Sequence, residues 1–191
     1  MGLLKGVTKM RVITGTARGR KLVTPEGLDT RPTADKVKES IFSIIQFDIP
    51  GANVLDLFAG SGQMGIEALS RGAEGATFVD SAKLSITAVK QNLDATGFIG
   101  KAKVYPMEAK TYLLSAADRY DIAFLDPPYH LGLVAAVLPG VAKLMRENSI
   151  IVCETQADEK LPESVENFTL RKTYRYGRIL VHVYKNEGDV D

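Results

Sequence analysis

"NVLDLFAGSG" (residues 53–62) runs from an apolar strand pattern straight into a glycine-rich turn. A helical pattern around "MGIEALSR" (64–71) follows at once. Strand, turn and helix in that order put a ligand-binding turn at the carboxyl end of a strand. Outward from here the alternation continues. "GATFVD" (75–80), "AKVYP" (102–106), "YDIAFLD" (120–126) and "SIIVCET" (149–155) read as strands. Between them, "KLSITAVKQNLDAT" (83–96), "EAKTYLLSAA" (108–117) and "LGLVAAVLPGVAKLM" (131–145) read as helices, the last bent near Pro139. Gly97 suits the residue just past the helix that precedes it. Such alternation predicts an α/β fold with a mainly parallel sheet covered on both faces. The end differs: "FTLRKTYRYG" (168–177) and "RILVHVYK" (178–185) read as an antiparallel hairpin that closes the sheet.

Upstream of residue 53, "MRVI" (10–13) and "RKLV" (20–23) read as two short strands around the turn "TGTARG". A loop, "TPEGLDTRPT" (24–33), leads to a helix capped by Thr33, with Val37, Ile41, Ile44 and Ile45 at helical spacing. Pro50 and Gly51 close this section. The division predicted is an N-terminal extension over residues 1–50, a main domain over 51–186 and a tail over 187–191.

The chain has 191 residues, 45% of them hydrophobic, which suits one globular domain with a small appendage. The longest mostly apolar run, 131–142, is too short to span a bilayer. "MGLLKGVTKM" lacks the apolar core and cleavage site of a signal peptide. Cys153, the single cysteine, fits a reducing compartment, and a cytoplasmic protein is expected. Two histidines and one cysteine make no His/Cys metal ligand set, so no metal is expected. Net charge is only +1 but unevenly spread: residues 1–40 carry +5, residues 41–170 carry −6 and residues 171–191 carry +2. A basic end segment is the footprint of a polyanion partner.

Two places carry chemistry. In the first, Gly60 and Gly62 let backbone approach a ligand, and Asp56 stands near the strand end. The turn has no Gly-Lys-Ser/Thr and is not read as a full G-x-G-x-x-G. Asp80 ends the next strand, where an acidic side chain holds ribose hydroxyls. A nucleoside without a pyrophosphate is implied. The second is "DPPY", Asp126 to Tyr129, delivered to the same edge by the strand 120–126. Pro127 and Pro128 fix φ and donate no N–H, so carbonyls there stay free to accept. Two acceptors beside the flat ring of Tyr129 suit the exocyclic amino group of a base. Holding both of its hydrogens localises the nitrogen lone pair toward an electrophile, which is catalysis by positioning and charge stabilisation.

"DLFAGSG", "VD" and "DPPY" together resemble the S-adenosylmethionine-dependent amino-methyltransferases. "MRVITGTARGRKL", "TRPTADKVKESIF" and "EALSRGA" narrow this: from Met10 to about Tyr184 the chain resembles the RsmD family. The resemblance implies a Rossmann-like class I methyltransferase with a seven-stranded sheet. It also implies methyl transfer from S-adenosylmethionine to the exocyclic N2 amino group of one guanine in 16S ribosomal RNA of the small subunit. Carried over, Asp56, Phe58, Gly60 and Gly62 surround the methyl donor, Asp80 holds its ribose, Glu108 accepts from its adenine and Met107 packs on that ring. Asp126, Pro127, Pro128 and Tyr129 hold the guanine. Two departures stand out: "SAKL" after Asp80 is less charged than the family pattern, and Glu108 stands where Asp or Asn is usual.

RNA must also be gripped. Arg11, Arg18, Arg20, Lys21 and Arg31 are the expected phosphate contacts, making the hairpin and the "TRPT" loop an RNA-facing lip. The target base has to be swung out to reach Asp126. The expected partner is 16S rRNA within a small-subunit assembly particle, bound by a monomer. Tyr174 and Tyr176, interleaved with Arg175 and Arg178, read equally as RNA-stacking rings or as tyrosines packed on one face of a hairpin. Cys153 reads as core and His130 as a loop residue without a role. The rival readings are a DNA adenine-N6 methyltransferase and a non-catalytic RNA-binding assembly factor. Residues 1–9 have no counterpart in the family pattern.

Overall fold

Short runs of Val, Ile, Leu and Phe form the strands of one sheet because both of its faces are covered. A computed structural model describes residues 10–25, 32–128 and 132–186. Its strands are β1 (Asn53–Asp56), β2 (Gly75–Asp80), β3 (Ala102–Pro106), β4 (Tyr120–Leu125), β5 (Met145–Gln156), β6 (Ser164–Val165), β7 (Phe168–Tyr176) and β8 (Ile179–Lys185). Its helices are α1 (Pro32–Ile44), α2 (Gln63–Ser70), α3 (Lys83–Thr96), α4 (Ala109–Ser115) and α5 (Leu133–Ala142). The strand order is β3-β2-β1-β4-β5-β8-β7-β6. The first five strands are parallel, and β5, β8, β7 and β6 pair antiparallel.

The sheet therefore has eight strands where seven were expected. The extra one is the two-residue edge strand β6. Glu166 turns the chain with φ 50, and Leu170 donates its N–H to the Glu163 carbonyl at 2.7 Å. That folds Ser164–Val165 back onto the start of β7. α1 begins at Pro32, one residue ahead of the expected cap Thr33; a proline at the first helical position gives up only an N–H that has no helical partner. α3 ends at Gly97, which has φ 77, as expected. α5 is shorter than its apolar run, because Met145 already belongs to β5.

Alternation along each strand sorts the core into two clusters. Val54, Ile122, Phe124, Ile150, Val152, Val181 and Val183 face α1, α2 and α3. Leu55, Ala123, Leu125, Ile151 and Cys153 face α4 and α5. α1 is tied to the centre of the sheet through Phe42, whose ring lies 5.5 Å from that of Phe124. Cys153 is fully buried, and burial pushes its thiol up, in keeping with a core residue.

The expected N-terminal hairpin is reduced to one antiparallel bridge, Arg11 to Lys21. The reason lies in α2, which takes over its backbone donors. The Glu67 carboxylate accepts from the N–H groups of Ile13 at 2.8 Å and Thr14 at 3.0 Å. The Ser70 hydroxyl oxygen accepts from the Ala17 N–H, and the Ser70 carbonyl from Thr16. Glu67 is 0% exposed and meets Arg71 Nε at 2.9 Å and Lys38 Nζ at 3.8 Å. Lys38, 2% exposed, donates to the Arg11 carbonyl at 2.9 Å. One buried charge network thus binds the hairpin, α1 and α2 together.

Candidate active site at the carboxyl edge of the sheet

Because β1 to β5 are parallel, their carboxyl ends share one edge. Register fixes what stands there. Asp56 pairs with Phe78 and Phe124, and Asp80 pairs with Pro106. Leu125 pairs with Cys153, so Asp126 comes to lie beside Glu154. Three features picked out in the sequence meet here: the turn after β1, the acid ending β2 and the Asp-Pro-Pro after β4.

The turn is held from several sides. The Leu57 N–H donates to the Phe124 carbonyl, Ala59 to Val79, and Gly62 to Ala59. Gly60 donates to Asp80 Oδ2 at 2.8 Å. Gly62, with φ 78, adopts a backbone that side chains resist, which aims the chain into α2. Asp56 Oδ2 accepts from the Gly65 N–H at 3.0 Å, inside the first turn of α2. Asp56 therefore fixes the loop. At 2% exposure its carboxyl is desolvated, which with the nearby Asp80 raises it to about 7, against the lowering effect of the Gly65 bond.

The reading of this turn needs one correction. Residues 60–65 are Gly-Ser-Gly-Gln-Met-Gly, a complete G-x-G-x-x-G. A Cβ at Gly65 would sit 2.4 Å from a ring carbon of Phe78 on β2. The third glycine thus serves close helix–strand packing, its usual task in such turns.

Asp80 does two things at once. Oδ2 holds Gly60, and Oδ1 accepts from the Ala82 N–H at 2.8 Å, just ahead of α3. Each oxygen keeps a second lone pair with which to accept from a ligand hydroxyl. Phe58 and Met107 are half-buried and Glu108 is exposed, preceding α4. Pro127 is buried and Pro128 exposed. Tyr129, His130 and Arg31 lie outside the described residues.

The Asp126 carboxyl is pushed well above the usual carboxylate range, first by burial, then by the Glu154 and Asp56 carboxylates. Alternation explains the company. Asp56, Asp126 and Glu154 each follow by two residues a member of one core cluster, Val54, Phe124 and Val152, so all three point to the same face. The edge therefore gathers three carboxyl groups, two of which hold their protons to a higher pH than usual and would be drawn toward ionisation by a cation beside them. Among the described residues no group of three or more His, Cys, Asp or Glu is placed to hold a metal ion.

Arg11, Arg18, Arg20 and Lys21 are all exposed on the hairpin. Its open end lies against the glycine turn: the Ser61 hydroxyl donates to Met10 Sδ at 3.0 Å. Asn92 of α3 ties the two together, donating to the carbonyls of Ser61 and Val23 and accepting from the Val23 N–H. The tip, with Arg18, lies by Ser70 at the other end of α2. Glu154, Glu67, Lys38 and Asn92 escaped sequence reasoning. A signal existed for Glu67, since it interrupts the otherwise apolar run Met64–Leu69 and a buried acid requires partners.

The family described as "Conserved hypothetical protein 95" matches residues 10–185. Ribosomal RNA small subunit methyltransferase D of Escherichia coli (strain K12) is 34% identical over 189 residues, covering 96% of this chain and 93% of that protein. YlbH of Bacillus subtilis (strain 168), provisionally named an rRNA methyltransferase, is 42% identical over 184 residues, covering 94% of this chain and 100% of YlbH. The solved structure of the yhhF protein of Escherichia coli superposes with a TM-score of 0.84 at 34% identity, covering 94% of this chain and 98% of that one.

Proposed function

This chain belongs to the RsmD family, the ribosomal RNA small subunit methyltransferases D, and from that membership we propose a definite reaction for it. The protein is an rRNA methyltransferase that moves a methyl group from S-adenosylmethionine to the N2 amino group of a guanine in 16S rRNA. The observation that carries this reading is the meeting of Asp56, Asp80 and Asp126 with the glycine turn on one edge of the sheet.

The edge fits such a donor. The turn allows close approach, Asp80 has acceptor capacity left for ribose hydroxyls, and the carboxylate cluster favours a cation. Phe58, Gly60, Gly62, Met107 and Glu108 complete the proposed donor site. When bound, S-adenosylmethionine supplies a methyl group on a positively charged sulfur. Asp126 and the carbonyls around Pro127 and Pro128 accept from the guanine amino group and aim its lone pair. Methyl transfer would leave the donor sulfur as a neutral thioether holding the electron pair of the broken carbon–sulfur bond, and would put positive charge on the amino nitrogen. Asp126, with Glu154 beside it, would stabilise that charge until the nitrogen's proton passes to solvent. Tyr129 provides the stacking face.

We assign residues 1–50 to RNA contact, 51–186 to methyl transfer and 187–191 to a tail. Arg11, Arg18, Arg20, Lys21 and Arg31 are the proposed phosphate contacts. The substrate is 16S rRNA inside a small-subunit particle in the cytoplasm, and the enzyme acts as a monomer.

The test supplies labelled S-adenosylmethionine with small subunits lacking the modification, matched total rRNA and unmethylated DNA. Modified nucleosides are then identified by mass. N2-methylguanine in the subunit RNA is the expected product. Label in DNA adenine, or at another position of the guanine, would overturn the reading.

A further inference from the structure

The β7–β8 hairpin reaches the same edge as Asp126. β5 is parallel to β4 and ends there. β8 runs back from that end, with Ile179 opposite Gln156 and Val181 opposite Glu154. Its partner β7 places Tyr176 opposite Ile179 and Tyr174 opposite Val181. A row therefore crosses the sheet from Asp126 through Glu154 and Val181 to Tyr174. It spans three strand spacings, roughly 14 Å. Tyr174 and Tyr176 pack against the core cluster that holds Val181, so they share a face with Asp126 and Glu154. Both are half-buried, each keeping part of its surface in solvent.

Along β7 and its turn the charged residues beside these rings are basic, although Ala157, next to Asp158 and Glu159, donates to the Arg178 carbonyl at 3.1 Å. Residues 171–178 read RKTYRYGR, four cations and no acid. Lys172 Nζ lies 4.9 Å from the Tyr174 ring centroid, so a cation stands beside the aromatic surface. Arg175 Nε donates to the Gly177 carbonyl at 3.1 Å and braces the turn, and Arg178 in the turn is exposed. Aromatic rings on a sheet flanked by Lys and Arg are the elements with which proteins hold unpaired nucleotides: bases stack, phosphates pair.

Resting on the rRNA reading above, we propose that the tip of this hairpin is a second RNA-binding surface. Tyr174 and Tyr176 stack an unpaired base close along the strand to the target guanine, and Lys172 and Arg178 hold its phosphates. The two readings of these tyrosines thus combine, one side of each ring packing on the core and the rest meeting a base.

The test measures binding of the intact protein to unmodified small subunits across a salt series, with S-adenosylmethionine affinity and thermal midpoint in parallel. Changing both tyrosines to Leu keeps apolar packing and removes the rings, and should weaken RNA binding about tenfold. Changing both to Phe should leave binding as in the wild type. The pair Lys172→Gln and Arg178→Gln should flatten the salt slope by about 1.4, the share of two single-strand phosphate contacts. Donor affinity should stay unchanged in all three. Unchanged RNA affinity in the Leu and Gln variants overturns the proposal, and so does a Phe variant as weak as the Leu one. Wild-type protein that binds the subunit without methylating it defeats the enzymatic reading alone.

Discussion

Asp126 and Glu154 stand side by side, and two carboxylates so placed resist ionising together. Burial and this neighbour let Asp126 keep its proton to a higher pH than an ordinary carboxyl group. If the ionised form is the active one, kcat/KM rises with pH through that titration. Glu154→Gln removes one of the charges that raise it, so the rising limb should move to lower pH. A limb that stays in place would show that another group titrates. Asp126→Ala should reduce turnover by two to three powers of ten, roughly the cost of a lost charge-stabilising contact. RNA binding should change little. Loss of binding with turnover per bound complex intact would place Asp126 in RNA contact and not in the chemistry. Asp56 gives a stability test. Its carboxyl, raised to about 7 in the fold chiefly by burial, ionises near 3.9 when unfolded. Between those values the native state holds the extra proton, so this group makes stability fall as pH rises from about 4 to about 7. Asp56→Asn keeps an acceptor for Gly65 and should remove that part of the slope in thermal melts. A slope equal to the wild type's would mean that Asp56 is ionised throughout.

At the scale of elements, α2 decides most. Its amino end takes the glycine turn, its body carries Glu67 and its carboxyl end seats the hairpin tip. Gly65→Ala drives a methyl group into the Phe78 ring, since the added carbon would meet ring atoms at 2.4 and 2.7 Å. Overpacking of this kind costs roughly 1–3 kcal/mol. The midpoint should drop by several degrees, and S-adenosylmethionine affinity should fall further than RNA affinity, because the displaced helix carries the turn. Equal melting and equal donor affinity would mean that Phe78 yields freely. The alternating strands and helices, Asp80 at the end of β2 and the closing hairpin were legible, because apolar period and glycine punctuation report them directly. Gly65 was passed over because inside a helical pattern it reads as a weak helix residue, and only Phe78 across the packing shows why it is small. β6 was missed because two residues carry no period. The shortened N-terminal ladder was missed because its competing acceptors, Glu67 and Ser70, lie more than fifty residues further along the chain. Glu154 was read simply as part of a strand, and register alone brings it to Asp126.

Over the whole molecule, charge is segregated: basic residues near both ends and acidic ones between. Folding gives this separation a geometry. The acidic middle contributes the carboxyl cluster of Asp56, Asp126 and Glu154, whose ionisation a cation favours and a bare phosphate opposes. The basic ends flank it from two directions, the N-terminal hairpin along α2 and the β7–β8 tip beyond β5 and β8. An RNA held by both would lay its backbone on the flanks and offer only a base to the centre. The hairpin is not loosely appended, since Glu67 and Lys38 bury charge to fix it. Its cations are therefore presented in a set position. Arg18→Glu with Arg20→Glu should weaken binding to small subunits by at least tenfold at low salt and reduce the salt slope by about 1.8 if the RNA there is duplex. S-adenosylmethionine affinity should be untouched. Combined with Lys172→Gln and Arg178→Gln, the losses should multiply, because the two clusters stand on separate elements, the N-terminal hairpin seated on α2 and the β7–β8 tip. A combined variant no weaker than the worse of its parents would mean that the two basic surfaces do not grip one RNA at once.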